Sequence, residues 1–277
     1  TKYASKKLSF WDDFLLALYT MISFGIYLER SLKGDVNNHI LAGEMFGTPV
    51  ELMERGVEPL NRGAENSGWD GQFYYYMSND IFGVKDTAKH IDSPSYRYQR
   101  IGLSLFSSIT SKVFLQEWVS PSWYISSYFF LLIFATYAGA RLLARHGIHP
   151  AFILLWSLSV GTQITLFNAL PDAAADAFLI LGAAALLSNR YALSVIPLCF
   201  AALSREAYAL FPSAVLLLHL LYILKADNDG AGAGIKRLMA WRAEYFLVIP
   251  GAVTVAWYLY VSSHFGVAPS SQAYGVL

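Results

Sequence analysis

Seven long apolar runs constrain this chain more than any other feature of its sequence. A helix that crosses a bilayer needs roughly 20 mostly apolar residues, within a range of about 17 to 25. The runs cover residues 10–29, 121–143, 149–169, 172–188, 190–204, 207–225 and 243–263. Only 14% of the 277 residues are charged, whereas soluble domains carry about 25%. We therefore predict an all-α, polytopic transmembrane helical bundle of about seven spanning helices, with residues 1–277 forming a single domain.

The longest polar segment, residues 30–120, separates the first and second apolar runs and contains amphipathic stretches of its own. One of them, residues 101–116, could either cross the membrane or lie flat at its surface. A flat helix puts Arg141, Arg145 and Arg190 on the same side as the N-terminal lysines, as the positive-inside rule prefers. We therefore predict that 30–120 is a large extracytoplasmic loop with interfacial helices, and that the N-terminus is cytoplasmic.

One carboxylate of this loop lies among glycines and aromatic rings, in the stretch Gly68-Trp69-Asp70-Gly71-Gln72-Phe73-Tyr74-Tyr75-Tyr76. Glycine permits tight turns and the close approach of a substrate. Asp70 could therefore act as a general base toward a hydroxyl group, while the rings stack on a sugar or a polyprenyl chain. The alternative is an ordinary exposed aspartate in an interfacial turn.

Two arginines follow in the stretch Pro94-Ser95-Tyr96-Arg97-Tyr98-Gln99-Arg100. Arg97 and Arg100 are three residues apart and would face the same way on a helix. Because the guanidinium fork matches phosphate oxygens, this pair would suit a phosphate or a pyrophosphate. Snorkelling toward lipid head groups explains the same pattern equally well.

Four further ionisable residues stand at predicted turns on the face that carries Asp70. They are Asp172, Asp176, Arg205 and Glu206. Ionisable groups at the ends of spanning helices are costly unless they are solvated or paired, which makes these residues functional candidates. Asp172 could instead stabilise a helix N-terminus. Arg205 and Glu206 could neutralise each other, or the arginine could open toward a lipid phosphate.

Several kinds of chemistry find no support in the sequence. The formal net charge is zero, so no nucleic-acid partner is expected. The single cysteine, Cys199, lies in an apolar run and cannot form an internal disulfide. The histidines are scattered without metal-ligand spacing, and no glycine-rich nucleotide loop occurs. We therefore predict neither a metal nor a cofactor.

The whole pattern resembles the GT-C superfamily of integral-membrane glycosyltransferases, which use polyprenyl-phosphate sugars. The matching pieces are Trp69–Tyr75, Asp92–Gly102, the Pro171-Asp172 turn and the Leu203–Glu206 turn. The likeness is closest to bacterial members of unassigned substrate and covers most of residues 10–263. The chain departs from the family in having fewer predicted spans. It also carries Asp-Gly-Gln where metal-dependent relatives carry Asp-x-Asp.

The resemblance implies a membrane glycosyltransferase of the bacterial inner membrane, with its site on the periplasmic face. A polyprenyl-phosphate sugar would be the donor, and the acceptor is unknown. Asp70 would be the general base in an inverting transfer. Arg97, Arg100 or Arg205 would stabilise the leaving polyprenyl phosphate.

The resemblance also assigns roles to the neighbouring residues. Trp69 and Tyr74 would line the groove for the sugar or the lipid. Asp172 or Glu206 would orient the sugar hydroxyls.

Two other functions are compatible with the same sequence. A non-catalytic GT-C-like subunit would pack against other membrane subunits, and its charged residues would pair among themselves. A transporter would carry Asp172, Asp176, Arg205 and Glu206 along its path and would show pseudo-symmetric halves, for which the sequence offers no sign. Membrane lipids are partners under every interpretation.

Overall fold

A computed structural model describes the chain over residues 10–32, 40–61, 64–225 and 243–269. Within these ranges the first helices are α1 (Phe10–Leu32), α2 (Val50–Glu54), α3 (Gly71–Ser78), α4 (Pro94–Tyr98) and α5 (Gly102–Val113). They are followed by α6 (Pro121–Arg145), α7 (Leu154–Ser157), α8 (Val160–Phe167), α9 (Asp172–Leu187), α10 (Tyr191–Ser204), α11 (Leu210–Lys225) and α12 (Val248–Phe265). Only two isolated β-bridges interrupt this pattern in the described part, so the all-α prediction is confirmed there.

In the part of the chain that the structure describes, the helices that could cross a membrane are fewer than the sequence predicts. Three helical stretches there are long and apolar enough: Pro121–Arg145, Glu206–Ile223 and Glu244–Phe265. The helices α7 and α8 belong to a pair bent by 53°, which would make a fourth span if it crosses as one unit. These helices are consistent with a membrane protein, but the predicted count of about seven spans is not confirmed.

The shortfall has a simple geometric reason. The predicted spans 172–188 and 190–204 are present as helices, but α9 has 16 residues and α10 has 14. At 1.5 Å per residue they are about 24 and 21 Å long, shorter than a hydrocarbon core of about 30 Å. The first apolar run forms α1, which has 23 residues.

The described residues of the 40–113 segment pack against one end of the long helices. The rings of Tyr75 and Tyr124 are 5.7 Å apart, which places this segment beside the start of α6. The Arg205–Asp172 ion pair joins the end of α10 to the start of α9. We call this the loop end of the bundle. The opposite end, where α6 and α9 finish and α10 begins, is the far end.

The loop end is a folded layer, because its central helix is buried on all sides. All eight residues of α3 are buried. The Ser104 hydroxyl donates to the carbonyl oxygen of Tyr74 at 2.6 Å, which fastens α5 to α3. The helix α5 has 12 residues and a length of about 18 Å, and it exposes the apolar side chains of Ile109 and Val113. Phe114, directly after this helix, is exposed as well. The segment predicted to hold the site is therefore built into the core of the protein.

Candidate functional site

Asp70 is positioned by two glycines that allow the backbone to pass very close to its neighbours. Gly68 has a left-handed conformation, with φ +69°, and a Cβ there would lie 2.3 Å from the carbonyl oxygen of Leu41. A Cβ on Gly71 would lie 1.9 Å from the carbonyl oxygen of Asn168. Only glycine fits at either position, so Asp70 is brought next to the turn that leads into α9. Its side chain remains 56% exposed.

Arg97 holds Asp70 in place and is itself held by a second carboxylate. Its Nη1 donates to Asp70 Oδ2 at 2.9 Å. Its Nε and Nη2 donate to the two oxygens of Asp92 at 3.0 and 2.7 Å, forming a bidentate pair. The Arg97 side chain is only 10% exposed. Burial alone would lower the pKa of Arg97, but the hydrogen bonds to Asp92 and Asp70 outweigh it and raise that pKa above its ordinary value.

Aromatic rings surround the Arg97 guanidinium and form the floor of the site. The guanidinium carbon lies 5.0 Å from the ring centroid of Phe73, 5.9 Å from that of Tyr74 and 5.7 Å from that of Tyr96. Burial raises the pKa of the Tyr74 hydroxyl, while Arg97 and Arg100 partly oppose this effect. Tyr74 therefore stays protonated, and a cation over an aromatic face is an additional favourable contact.

A second arginine extends the site toward the end of α10. Arg100 stacks on Tyr96 at 4.7 Å and donates to both oxygens of Glu206 at 3.3 Å. Arg205, the next residue to Glu206, forms a separate ion pair with Asp172 at 3.0 Å. The interpretation in which Arg205 and Glu206 mainly neutralise each other is therefore wrong, because the turn directs the two side chains to different partners.

These contacts form one continuous group, which we call the loop-end charge cluster. Its members are Asp70, Asp92, Arg97, Arg100, Asp172, Arg205 and Glu206. Tyr96 links its two halves because both Arg97 and Arg100 lie over its ring. Four carboxylates face three guanidiniums, so the cluster carries a formal charge of minus one. An incoming phosphate would therefore have to exchange with a carboxylate on an arginine.

Asp176 lies deeper between the helices and has its own partners. Trp156 Nε1 donates to Asp176 Oδ2 at 3.2 Å, and the Tyr208 hydroxyl donates to the other carboxylate oxygen. The sequence singled out Asp176 because a helix N-terminus does not explain a carboxylate one turn further in. Its two aromatic partners carry no sequence signal, since they come from separate helical segments.

Most of the predicted site residues lie in the loop-end charge cluster or beside it, but they differ in how far their side chains are exposed to solvent. Asp70, Arg100, Asp172, Arg205 and Glu206 join the cluster together with Arg97, while Trp69 stands beside them with 48% of its surface exposed. Tyr74 is only 2% exposed, and its ring lies against the Arg97 guanidinium inside the protein.

Asp92 was not predicted as a site residue, although it makes the closest contacts to Arg97. The sequence did hint at its role, because Asp92 stands five residues before Arg97 and just ahead of Pro94, which starts α4.

No metal site is apparent at the cluster. Within the described ranges, no group of three or more histidine, cysteine, aspartate and glutamate side chains is arranged to hold a metal ion. The absence of an obligatory metal or other cofactor stays a prediction, and the residues that matter are the carboxylates and arginines already described.

Comparison with protein-family models, with curated proteins and with solved structures finds no match to this chain.

Proposed function

We propose that this protein is a membrane glycosyltransferase that moves a sugar from a polyprenyl-phosphate carrier to the hydroxyl group of an acceptor. The observation that carries the proposal is the exposure of the Asp70 carboxylate together with its hydrogen bond to Arg97. Its carboxylate is more than half exposed, yet one of its oxygens is held by a buried arginine. A carboxylate has two oxygens, so the other can receive a proton. A fixed and accessible carboxylate is what a general base requires.

The transfer would proceed as a single inverting displacement. The acceptor oxygen attacks the anomeric carbon, and Asp70 takes the proton of the acceptor hydroxyl. The bond between the anomeric carbon and the phosphate oxygen breaks, and the polyprenyl phosphate leaves with that electron pair. Neither an oxidant nor a reductant is needed.

Exposure separates the roles of the three arginines. Arg97 is 10% exposed and is held by two carboxylates, so we assign it to positioning Asp70. Arg205 is 46% exposed and has a single partner, Asp172. An exposed ion pair is worth only about 0–1 kcal/mol, so a phosphate can replace Asp172 at little cost. We therefore propose that Arg205 receives the leaving phosphate, with Arg100 beside it.

The same proposal includes a membrane topology. All seven apolar runs contain helix, and Arg141, Arg145 and Arg190 lie together at the far end. The positive-inside rule then puts the far end and the N-terminus in the cytoplasm and the loop end outside. We propose about seven crossings of a bacterial inner membrane. Labelling of single cysteines in a Cys199→Ser background tests this, because residues 70 and 189 should react from opposite sides.

The test of the chemistry is transfer of labelled sugar from a panel of polyprenyl-phosphate sugars by the purified full chain. Asp70→Asn removes the base and should lower turnover by about 10²- to 10⁴-fold. Asp92→Asn is the matched control, because it makes the same chemical change on the other carboxylate of Arg97. It should retain turnover within about tenfold, since Arg97 still holds Asp70. Equal losses in the two variants would remove Asp70 as the base.

A non-catalytic subunit of a larger membrane complex is the second candidate. Its support is that every arginine of the loop-end charge cluster pairs with a carboxylate. Two of the long helices also present wide apolar surfaces, because only 17% of the apolar stretch is buried in Glu206–Ile223 and in Glu244–Phe265, against 50% in Pro121–Arg145. Under this alternative the purified chain transfers no sugar from any donor, and Asp70→Asn alters only stability.

A further inference from the structure

The Asp176 carboxylate accepts hydrogen bonds from two aromatic side chains, and none of the three residues has a role in the proposed transfer. The Tyr208 hydroxyl donates to Oδ1, and Trp156 Nε1 donates to Oδ2 at 3.2 Å. All three side chains are partly buried. Each oxygen of this carboxylate is therefore occupied by a neutral donor, and the three residues form a fixed group between the helices.

Through this group, α9 holds the turn between α10 and α11 at two points. Asp172 and Asp176 are one turn apart on the same face of α9. Asp172 pairs with Arg205 at 3.0 Å, and Asp176 accepts the hydrogen bond of Tyr208. The backbone joins the two points, because the Tyr208 amide donates to the carbonyl oxygen of Arg205 at 2.9 Å. The position of Tyr208 therefore fixes the backbone from which the Arg205 side chain extends.

The two points of attachment respond differently to an incoming phosphate. A phosphate that binds Arg205 takes the place of Asp172, and the first attachment is lost. The Asp176–Tyr208 hydrogen bond remains, because a different donor makes it. The neighbouring Glu206 also stays paired with Arg100, but this contact leads to the polar loop and not to α9. The second attachment is therefore the one that can keep Arg205 beside α9 while a phosphate is bound.

Trp156 makes the second attachment more rigid. It lies in α7, and its carbonyl oxygen accepts a hydrogen bond from the Thr162 hydroxyl at 2.8 Å across the bend between α7 and α8. The Asp176 carboxylate is thus held by donors from two separate elements. A carboxylate with a donor on each oxygen is restricted in rotation, so it presents Oδ1 to Tyr208 in one orientation.

We propose that Asp176 and Tyr208 are positioning residues for Arg205, which keep its guanidinium in place when the phosphate of the lipid carrier has displaced Asp172. This inference rests on the proposed function, in which Arg205 receives that phosphate. Neither positioning residue contacts the phosphate itself. Loss of the Tyr208 hydroxyl should therefore weaken the binding of a phosphate through Arg205 and leave the binding of the hydrocarbon chain unchanged.

The test is the binding of farnesyl phosphate and of farnesol to the purified full chain in a neutral detergent, measured by isothermal titration calorimetry. The two probes share a prenyl chain and differ in the phosphate. We expect the wild type to bind farnesyl phosphate about tenfold more tightly than farnesol, and Arg205→Gln to remove most of this preference. Tyr208→Phe should weaken the binding of farnesyl phosphate by about threefold to tenfold and leave that of farnesol unchanged.

Tyr260→Phe is the matched control. It also removes a tyrosine hydroxyl that donates to a fixed acceptor, the carbonyl oxygen of Phe82 at 2.7 Å, but this contact lies outside the loop-end charge cluster. The control should bind both probes like the wild type. Asp176→Asn leaves one carbonyl oxygen for two donors, so it should weaken the binding of farnesyl phosphate as Tyr208→Phe does. In an Arg205→Gln background, Tyr208→Phe should cause no further loss, because it acts through that arginine.

Three results would overturn this inference and leave the proposed function intact: unchanged binding in Tyr208→Phe, equal weakening of both probes, or a full additional loss in the Arg205→Gln background. In each case Arg205→Gln still removes the preference for the phosphate. A wild type that binds the two probes equally, with no change in Arg205→Gln, would instead remove Arg205 as the phosphate site and overturn both. If Tyr208→Phe does not fold, Asp176→Asn tests the same hydrogen bond from its acceptor.

Discussion

The three arginines of the loop-end charge cluster and the described arginines at the far end have different surroundings. At the loop end, Arg97, Arg100 and Arg205 all pair with carboxylates at distances between 2.7 and 3.3 Å. At the far end, Arg145 donates to the Ser188 hydroxyl, and no described residue lining the cavity that opens there is acidic. Ion pairing at the loop end holds the arginine side chains between carboxylates, whereas Arg145 at the far end is oriented by a hydroxyl group.

The comparison also shows how burial and charge are linked. Arg97 can be almost entirely buried because two carboxylates neutralise it, and a buried charge without a partner would be costly. The arginines at the far end line an open cavity instead. The loop end is therefore expected to respond strongly to single substitutions, and the far end weakly.

The largest effect is expected for Gly71→Ala. The new Cβ would overlap the Asn168 carbonyl oxygen at 1.9 Å, and this neighbour is backbone that cannot rotate away. We expect the free energy of unfolding to fall by about 3 kcal/mol, as for other overpacking changes, and Asp70 to lose its position. Thermal unfolding in detergent measures the first effect.

Gly161→Ala is the matched control for this change. Gly161 also lies in a helix, but its nearest atom to a new Cβ is Ser159 Oγ at 3.8 Å. This variant should be neutral, or more stable by up to about 1 kcal/mol. Similar losses at the two glycines would contradict the close packing of α3 against the Asn168 turn.

The next largest effect is expected for Arg97→Met at the loop end, and Arg145→Met makes the same substitution at the far end. Loss of Arg97 leaves Asp70 and Asp92 without their shared partner, and we expect a destabilisation of about 2–3 kcal/mol. Arg145 is exposed and donates to a hydroxyl group, so its replacement should cost less than about 0.5 kcal/mol. Chemical denaturation of the two variants under the same conditions measures both losses in the free energy of unfolding. Equal losses would contradict the difference between the two ends.

The third effect is a loss of stability of the loop end at alkaline pH. Burial raises the pKa of Tyr76 to about 12, and it also raises the pKa values of Tyr74, Tyr75 and Tyr98. The unfolded chain ionises its tyrosines near pH 10, so it releases protons that the folded chain retains. Stability is therefore complete below pH 10 and falls above it, by about 1.4 kcal/mol per pH unit for each tyrosine.

This alkaline effect is followed by the absorbance of tyrosinate and by thermal unfolding at increasing pH. Tyr76→Phe should make the free energy of unfolding fall less steeply with pH above pH 10, by the contribution of one tyrosine. It should also lower stability at neutral pH, because the Tyr76 hydroxyl donates to the carbonyl oxygen of Gly47 at 3.1 Å. Ionisation of every tyrosine near pH 10 in the folded protein would show that these rings are accessible.

The smallest effect is expected for the Arg100–Glu206 pair. A double-mutant cycle with Arg100→Gln and Glu206→Gln should give a coupling of about 0.5 kcal/mol, because Glu206 is 42% exposed. The coupling should decrease further with added salt. A coupling above about 2 kcal/mol would mean that the Arg100–Glu206 pair is held as firmly as the ion pairs of Arg97, and it would remove the distinction between Arg97 and the more exposed arginines.

Much of the helical framework could be predicted from the sequence. The run 121–143 appears as Pro121–Arg145, and the run 172–188 as Asp172–Leu187. The exception is the run 149–169, which is broken into two short helices. Ser159 caps the second of them by accepting a hydrogen bond from the Thr162 amide at 3.1 Å. A hydropathy average does not detect a break made by a single hydroxyl group.

The sequence predicted most of the residues that form the site, but it did not predict which of them pair with each other. The sequence marks Asp70, Arg97 and Arg100 as candidate groups of the long polar loop, and Asp172, Arg205 and Glu206 as charged groups at turns between apolar runs. Their partners were not recognised, because Arg100 and Glu206 are 106 residues apart and meet only where two helix ends converge.

The sequence by itself determined where the helices form, which of them are apolar, and which turns carry charge. These properties depend on hydropathy and on neighbours along the chain. Only the tertiary structure decided that the arginines of the loop end are neutralised while those of the far end line an open cavity. The reason is that ion pairing depends on distances of a few ångströms between side chains that are far apart in the chain, and the packing of the helices sets those distances.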